Sequence, residues 1–267
     1  MESTGLSRAA SPYPDPAQTV WAHAVNSQAL LSAALASGET TMLEADVLTT
    51  TDGMHAIMAH PPRRKSDLTL KSFLHQVLTH NRAFTAGEHR TIPVGIKLDF
   101  KDPDAVPLAM EHLLANWKDE SVPLWLNADV FQGPGGAPSR FDPHDFVTSC
   151  QSAFPNATLS LGFTTGNWGW TYTEDMVEQM LSLCRDRQLA GVTFVLAARM
   201  AQQSPAAVKL LLDVSPSYTL TLWGPADDSV RHWMTSLPPT RTFIDTQEAS
   251  IGWRTMMAIG RLFGGLD

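Results

Sequence analysis

Residues 21–60 read WAHAVNSQALLSAALASGETTMLEADVLTTTDGMHAIMAH, and this stretch decides the fold. Val20–Val25 is short, apolar and strand-like. Ser27–Ala36 reads as a helix that Gly38 stops. Thr41–Leu48 is the next strand, Asp52-Gly53 is a turn signal, and Ala56–Ala59 returns as extended chain. Strand, helix and strand in that order form a βαβ unit, whose strands run parallel because the helix carries the chain back.

The unit repeats outward from there. Leu68–Asn81 reads as a helix, Ile92–Phe100 as a strand and Asp104–Asn116 as a helix with an acidic cap. Strands over Pro123–Val130, Ala157–Phe163, Gly191–Ala198, Tyr218–Trp223 and Arg241–Asp245 alternate with helices over Pro143–Phe154, Thr173–Asp186, Pro205–Leu212, Asp227–Ser236 and Gln247–Phe263. Eight strands, each followed by a helix, in a chain of 267 residues predict an α/β fold of one closed (β/α)8 barrel, a TIM barrel, over residues 18–267. Residues 1–17 read as a polar lead. The alternative is a doubly wound open sheet; no G-x-G-x-x-G follows the first strand, which weighs against a dinucleotide fold.

A net charge of −8 weighs against nucleic acid as partner, since a phosphate backbone demands a basic surface; a locally basic pocket stays open. Neither Cys150 nor Cys184 lies in a CxxC motif, so both read as buried, reduced thiols. No apolar run nears the ~20 residues that cross a bilayer, and the first residues lack a basic-then-apolar signal profile. The expectation is a cytoplasmic protein without a transmembrane segment, its oligomeric state open.

Chemistry in such a barrel sits at the C-terminal ends of the strands, where polar residues cluster here. Side chains two apart on a strand point the same way, so Glu44 and Asp46 share a face. Two crowded carboxylates are costly unless a positive charge lies between them, and a hard divalent cation meets that need. His23 and His60 bracket the pair as proton donor and acceptor. His23 and Asn26 end the first strand. Lys97, Asp99 and Lys101 share a face of the third, in GIKLDFK, and Asn127 and Asp129 share one of the fourth, in LWLNAD. Trp223 ends the seventh strand and Asp245 the eighth. The bland alternative for the third strand is a structural Lys97–Asp99 salt bridge, or solvent exposure of Lys101. The other histidines read as surface residues. Gly133-Pro-Gly-Gly136 reads as a loop over the barrel mouth, and Trp168 and Trp170 either line a cleft or cover the barrel end. There is no H-E-x-x-H, G-x-S-x-G or P-loop, and no His-x-His on the first strand.

With these residues aligned, the chain resembles the phospholipase-C-like phosphodiesterase superfamily, which includes the glycerophosphodiester phosphodiesterases. Its pattern of His, Glu-x-Asp, Asp-Gly and a second His matches His23, Glu44 and Asp46, Asp52-Gly53, and His60. Its acid-x-Lys matches Asp99-Phe-Lys101, and its late Trp matches Trp223. More narrowly, WAHAVNS, EADV, MAHPP, GIKLDFK and LNAD look like the menorin family, a branch of that superfamily. The resemblance implies that Glu44, Asp46 and Asp99 hold one Mg²⁺ or Ca²⁺. It implies that His23 and His60 exchange acid and base roles on a small-molecule or lipid phosphodiester. Lys101, with Lys97 nearby, would offset phosphate charge, and Asn26, Asn127, Asp129 and Trp223 would line the substrate. One departure stands out: the glycerophosphodiesterases place Arg after the first His, and here that residue is Ala24. Its loss favours the alternative of a catalytically weak barrel acting as a ligand- or protein-binding module. A lyase or glycoside-acting barrel is a third reading, weakened by the lack of a Glu pair on the fourth and seventh strands.

Overall fold

The computed structural model describes residues 14–85, 93–118, 122–166 and 170–246. Its strands are β1 Trp21–Ala22, β2 Met42–Thr49, β3 Ala56–Met58, β4 Gly95–Phe100, β5 Leu124–Gln132, β6 Thr158–Thr164, β7 Val192–Ala197, β8 Thr219–Trp223 and β9 Thr242–Asp245. The helices are α1 Gln28–Ala36, α2 Leu70–Thr85, α3 Ala105–Asn116, α4 Pro143–Ala153, α5 Glu174–Asp186, α6 Ala198–Gln202, α7 Pro205–Asp213 and α8 Asp228–Met234. The sheet runs β1-β2-β4-β5-β6-β7-β8-β9 with every neighbouring pair parallel, while β3 lies antiparallel on β2. This is the expected (β/α)8 barrel. Among the described residues no backbone ladder joins β9 to β1, and side chains cross that seam instead. No described helix is long and apolar enough to cross a membrane.

Local chemistry accounts for the element ends. Ser27 accepts a hydrogen bond from Leu30 N at 3.3 Å to start α1, and Gly38 takes a φ of 68° just beyond its end. Asp142 accepts from His144 N and Asp145 N at 2.9 Å to start α4. Asp104 does not cap α3 as expected: its backbone is already helical, at φ −67° and ψ −17°, and its side chain makes no capping bond. A cap residue needs extended backbone to turn its oxygen onto the first turn. The first strand is also shorter than Val20–Val25, because Ala24 takes a φ of 54° and leaves the β region. The helix α6, inserted before α7, was not expected. The expected helix Gln247–Phe263 lies outside the described residues.

The two faces of the sheet do different work. Outward residues such as Leu43, Ala45, Val47, Ile96, Leu98 and Leu126 join the helices in one large core. Inside the barrel the apolar residues form a separate cluster of Trp21, Met42, Trp125 and Phe243. Trp125 meets Trp21 edge-on at 5.5 Å and Phe243 at 4.8 Å. These residues lie towards the N-terminal ends of their strands, so they plug the bottom of the barrel. Above them the interior is polar. Ser160 donates to Asn127 Oδ1 at 2.6 Å, and the hydroxyls of Thr193 and Thr221 pair at 2.7 Å. All four are buried. Satisfied hydroxyls and amides fill the middle of the barrel at little cost, and the charged groups sit over them. Cys150 and Cys184 are free and buried, as expected.

Candidate metal and anion site at the barrel mouth

Parallel pairing sets the site. The β2–β4 register places Asp46 beside Asp99 and Glu44 beside Lys97, all on the inner face. One carboxylate oxygen from each of Glu44, Asp46 and Asp99 then falls within 4.8 Å of the others. All three are almost excluded from solvent, with exposures of 2%, 4% and 9%. Asn26 braces Asp46 at both ends of its amide: Nδ2 donates to Asp46 Oδ2 at 2.6 Å, and Oδ1 accepts from Asp46 N at 2.9 Å. Ala24 N donates to Glu44 Oε2 at 2.7 Å. Ala24, with its left-handed backbone, thus turns its N–H onto a carboxylate, at the position singled out in the sequence as a departure from the resemblance.

The lysines divide the acids between them. Lys101 Nζ lies 2.6 Å from Asp99 Oδ2 and 3.3 Å from Asp46 Oδ1. Burial alone would lower its pKa, but Asp99, Asp46 and Asp129 overcome this and hold it well above the ordinary value. Burial pushes the Asp99 carboxyl up, and Lys101, then Lys97, outweigh that and bring it below the usual carboxylate range. Lys97 is 3% exposed and lies deeper. Its Nζ is 3.9 Å from Asp245 Oδ2 and 5.6 Å from the Trp21 ring centroid. The Lys97–Asp99 salt bridge weighed from sequence is thus replaced by Lys101–Asp99 and Lys97–Asp245, and Lys101 is not a solvent residue.

Two further carboxyls are pushed up to about 7. For Glu44 the cause is burial, reinforced by Asp46 and Asp99 and opposed by His23 and Lys97. For Asp129 the cause is again burial, opposed by Lys101 and reinforced by Asp99. Asp129 fits because β6 carries Gly162 beside it: a Cβ there would stand 2.3 Å from Asp129 Oδ1.

His23 spans the barrel seam. Its Nδ1 lies 3.1 and 3.0 Å from the two oxygens of Asp245 and 3.3 Å from Glu44 Oε2. A nitrogen among carboxylate oxygens carries the proton, which leaves Nε2 as the working nitrogen. Burial lowers the His23 pKa, but Asp245 and Glu44 together raise it to about 10. Asp245 is 1% exposed; the sequence marked it as the end of the last strand without marking its partner. His60 is exposed just beyond β3, where Ala59 N donates to the Asp46 carbonyl at 3.0 Å. Its Nδ1 donates to the Pro61 carbonyl at 2.7 Å, so Nε2 is the free lone pair. Trp223 is half-buried at the end of β8, in register with Asp245. Asn127 is buried, in register with Asp99. Trp170 is 60% exposed, and Trp168 lies outside the described residues.

The donor set suits a hard divalent cation. Three carboxylates converge, and Asp99 Oδ1 is buried with no hydrogen-bond partner. Sequence reasoning missed Asp102, which is 2% exposed at the same end of the barrel. It accepts from Thr49 Oγ1 at 2.8 Å and Arg64 Nη1 at 3.2 Å, and lies 3.5 Å from Arg140 Nη2. No motif marks it, because its three partners come from separate loops and strands.

Residues 15–255 match the family model for the Menorin N-terminal domain. The human protein FAM151B is 38% identical over 225 residues, covering 80% of this chain and 75% of that protein. Among solved structures, that of KGPDC from Streptococcus mutans overlaps 92% of this chain and 100% of its own, with 13% identity and a TM-score of 0.48.

Proposed function

The chain belongs to the menorin family, and from that premise we propose that it is a metal-dependent phosphodiesterase of the phospholipase-C-like kind. One observation carries the reading: Glu44, Asp46 and Asp99 converge within 4.8 Å, beside a histidine whose Nδ1 is held by Asp245. Glu44, Asp46 and Asp99 would hold one Mg²⁺ or Ca²⁺. When bound, the ion supplies charge neutralisation and polarisation at the phosphoryl group.

The remaining chemistry belongs to side chains of this protein. His60, with Nδ1–H tied to Pro61, offers Nε2 as base and takes the proton of a substrate hydroxyl next to the phosphate. That oxygen bonds to phosphorus to give a cyclic phosphate, and the bond to the leaving oxygen breaks. His23 donates its Nε2 proton to that leaving oxygen, while Asp245 holds the ring by Nδ1–H. Hydrolysis of the cyclic ester by water reverses the two roles. Lys101 places positive charge beside the equatorial oxygens. The substrate class is a small-molecule or lipid phosphodiester. The buried free thiols Cys150 and Cys184 suit a reducing, cytoplasmic setting.

The test is turnover of a panel of soluble glycerophosphodiesters with and without EDTA. His23→Asn and His60→Asn should each cost about 10²–10⁴-fold in rate while leaving metal affinity nearly intact. A panel that is never turned over, with metal present, refutes the enzyme reading.

A second reading has its own observation. Lys101 is tied to Asp99 and Asp46, so the site carries an internal counter-charge. That favours a catalytically weak barrel that binds a ligand or protein partner.

A further inference from the structure

The loop joining β3 to α2 lies on the rim of the barrel beside the ends of β1, β2 and β4 and is anchored at several points. Arg64 reaches the buried carboxylate of Asp102 at 3.2 Å. Ser66 Oγ donates to the Asn26 carbonyl at 3.0 Å, and Asp67 Oδ1 accepts from Gln28 N at 3.1 Å. A cavity of about 440 Å³ opens among these anchors, lined in part by Asn26, His60, Pro62, Arg63, Lys65 and Asp67. Asn26 is the same residue that braces Asp46, so the cavity shares a wall with the carboxylate cluster.

The charges of this cavity are unbalanced. Arg63 and Lys65 are exposed, and among the described residues neither has a carboxylate within salt-bridge distance. Asp67, the one acid of the lining, has an oxygen engaged by the start of α1. The chain as a whole carries −8. Two cations without a carboxylate partner, against one acid around one concavity, give it a local excess of positive charge on a chain whose net charge is negative.

We propose that this cavity is a second anion subsite, taking a further phosphate that the substrate carries beside its scissile phosphodiester. The assignment rests on the phosphodiesterase reading for where the scissile group lies. The chemistry recognised is a phosphomonoester dianion, carried by a phosphorylated polyol or by a nucleotide end. Arg63 offers a planar fork of donors and Lys65 a point charge.

The experiment is calorimetric binding in saturating Mg²⁺, on a His23→Asn background that slows turnover. Two probe pairs are used: glycerophosphoinositol with and without a ring phosphate, and a dinucleoside monophosphate with and without a terminal phosphate. The extra phosphate should tighten binding by about tenfold to a hundredfold in at least one pair, and that pair identifies the source. The gain should shrink as salt is raised. R63Q/K65Q should erase the gain and leave the affinity of the bare diester unchanged, with an unaltered melting temperature. Equal affinities within both pairs, a gain that survives R63Q/K65Q, or no binding by any probe overturns the subsite. A gain present while the wild-type protein turns over neither pair removes the catalytic reading and leaves the subsite standing. Turnover without a gain does the reverse.

Discussion

Asp245→Asn removes a charge from a position that is 1% exposed while keeping the side chain's shape. Two cations feel the loss. Lys97, 3% exposed, has Asp245 as its ion-pair partner at 3.9 Å. Stripping a buried charge of its partner costs roughly 3–5 kcal/mol. The Trp21 face 5.6 Å from the ammonium offsets a little of this, so a loss of about 3 kcal/mol is expected in urea unfolding. His23 is the second cation, and its pKa should fall from about 10 towards the ordinary imidazole value as the leading cause of its elevation disappears. The sign follows from linkage. The folded pKa of His23 lies above its ordinary 6.5, so this stabilisation is complete below about pH 6.5 and lost as pH rises towards 10. Glu44 and Asp129, both raised to about 7, contribute stability that is lost as pH rises to about 7, and the buried thiols Cys150 and Cys184, raised from 9.0 to about 12, add a loss only above about pH 9, so the window from pH 7 to pH 9 reports His23. Wild type should therefore lose stability from about pH 7 to about pH 9, and Asp245→Asn should be flatter there. NMR titration of the His23 ring and urea midpoints across pH measure both effects. Lys97→Met combined with Asp245→Asn should cost less than the sum of the single changes. A stability loss below 1 kcal/mol, or an unchanged His23 titration, would refute the placement of these three groups.

Asp46→Ala should abolish Mg²⁺ and Ca²⁺ binding in calorimetry, along with any rise in melting temperature on adding the ion; unchanged binding dismisses the carboxylate cluster as the metal site. Lys101→Met should tighten divalent-cation binding, because it removes a competing positive charge 2.6 Å from Asp99, while weakening inorganic phosphate binding by roughly 1.5–3 kcal/mol; a titration in which neither changes leaves Lys101 without a role at the mouth. Gly162→Ala should lower the urea-derived stability by about 1–3 kcal/mol through the 2.3 Å approach to Asp129 Oδ1, and Asp129→Ala in the same chain should restore most of that; no recovery would mean the clash lies elsewhere.

The alternation of strands and helices made parallel pairing legible, because a strand–helix–strand sequence admits little else, and the count of eight such units pointed to the closed barrel over the open sheet. The inner face was equally legible. Glu44 and Asp46, Lys97 and Asp99, and Asn127 and Asp129 are each two residues apart, and the period of a strand is a property of the local backbone. The resemblance carried by short motifs such as EADV and GIKLDFK led to the right family. The capping of α3 by Asp104 failed because a side-chain oxygen caps only from extended backbone, and Asp104 is helical.

Partner choice was not legible, and it decides the electrostatics of the site. Sequence alone offered a Lys97–Asp99 pair only as the bland alternative for that strand and could not choose among partners. The barrel gives Asp99 to Lys101 and sets Lys97 one step deeper, against an aspartate on the last strand. His23 meets that same aspartate across 222 positions of chain. Such contacts depend on the stagger of neighbouring strands and on where the first and last strands meet at the seam. Both are outcomes of packing the outer helices against the sheet. Strand parity fixes which way each charged side chain points; closure of the barrel fixes which charges lie within 4 Å of one another, because distance in a closed sheet is set by register and not by separation along the chain.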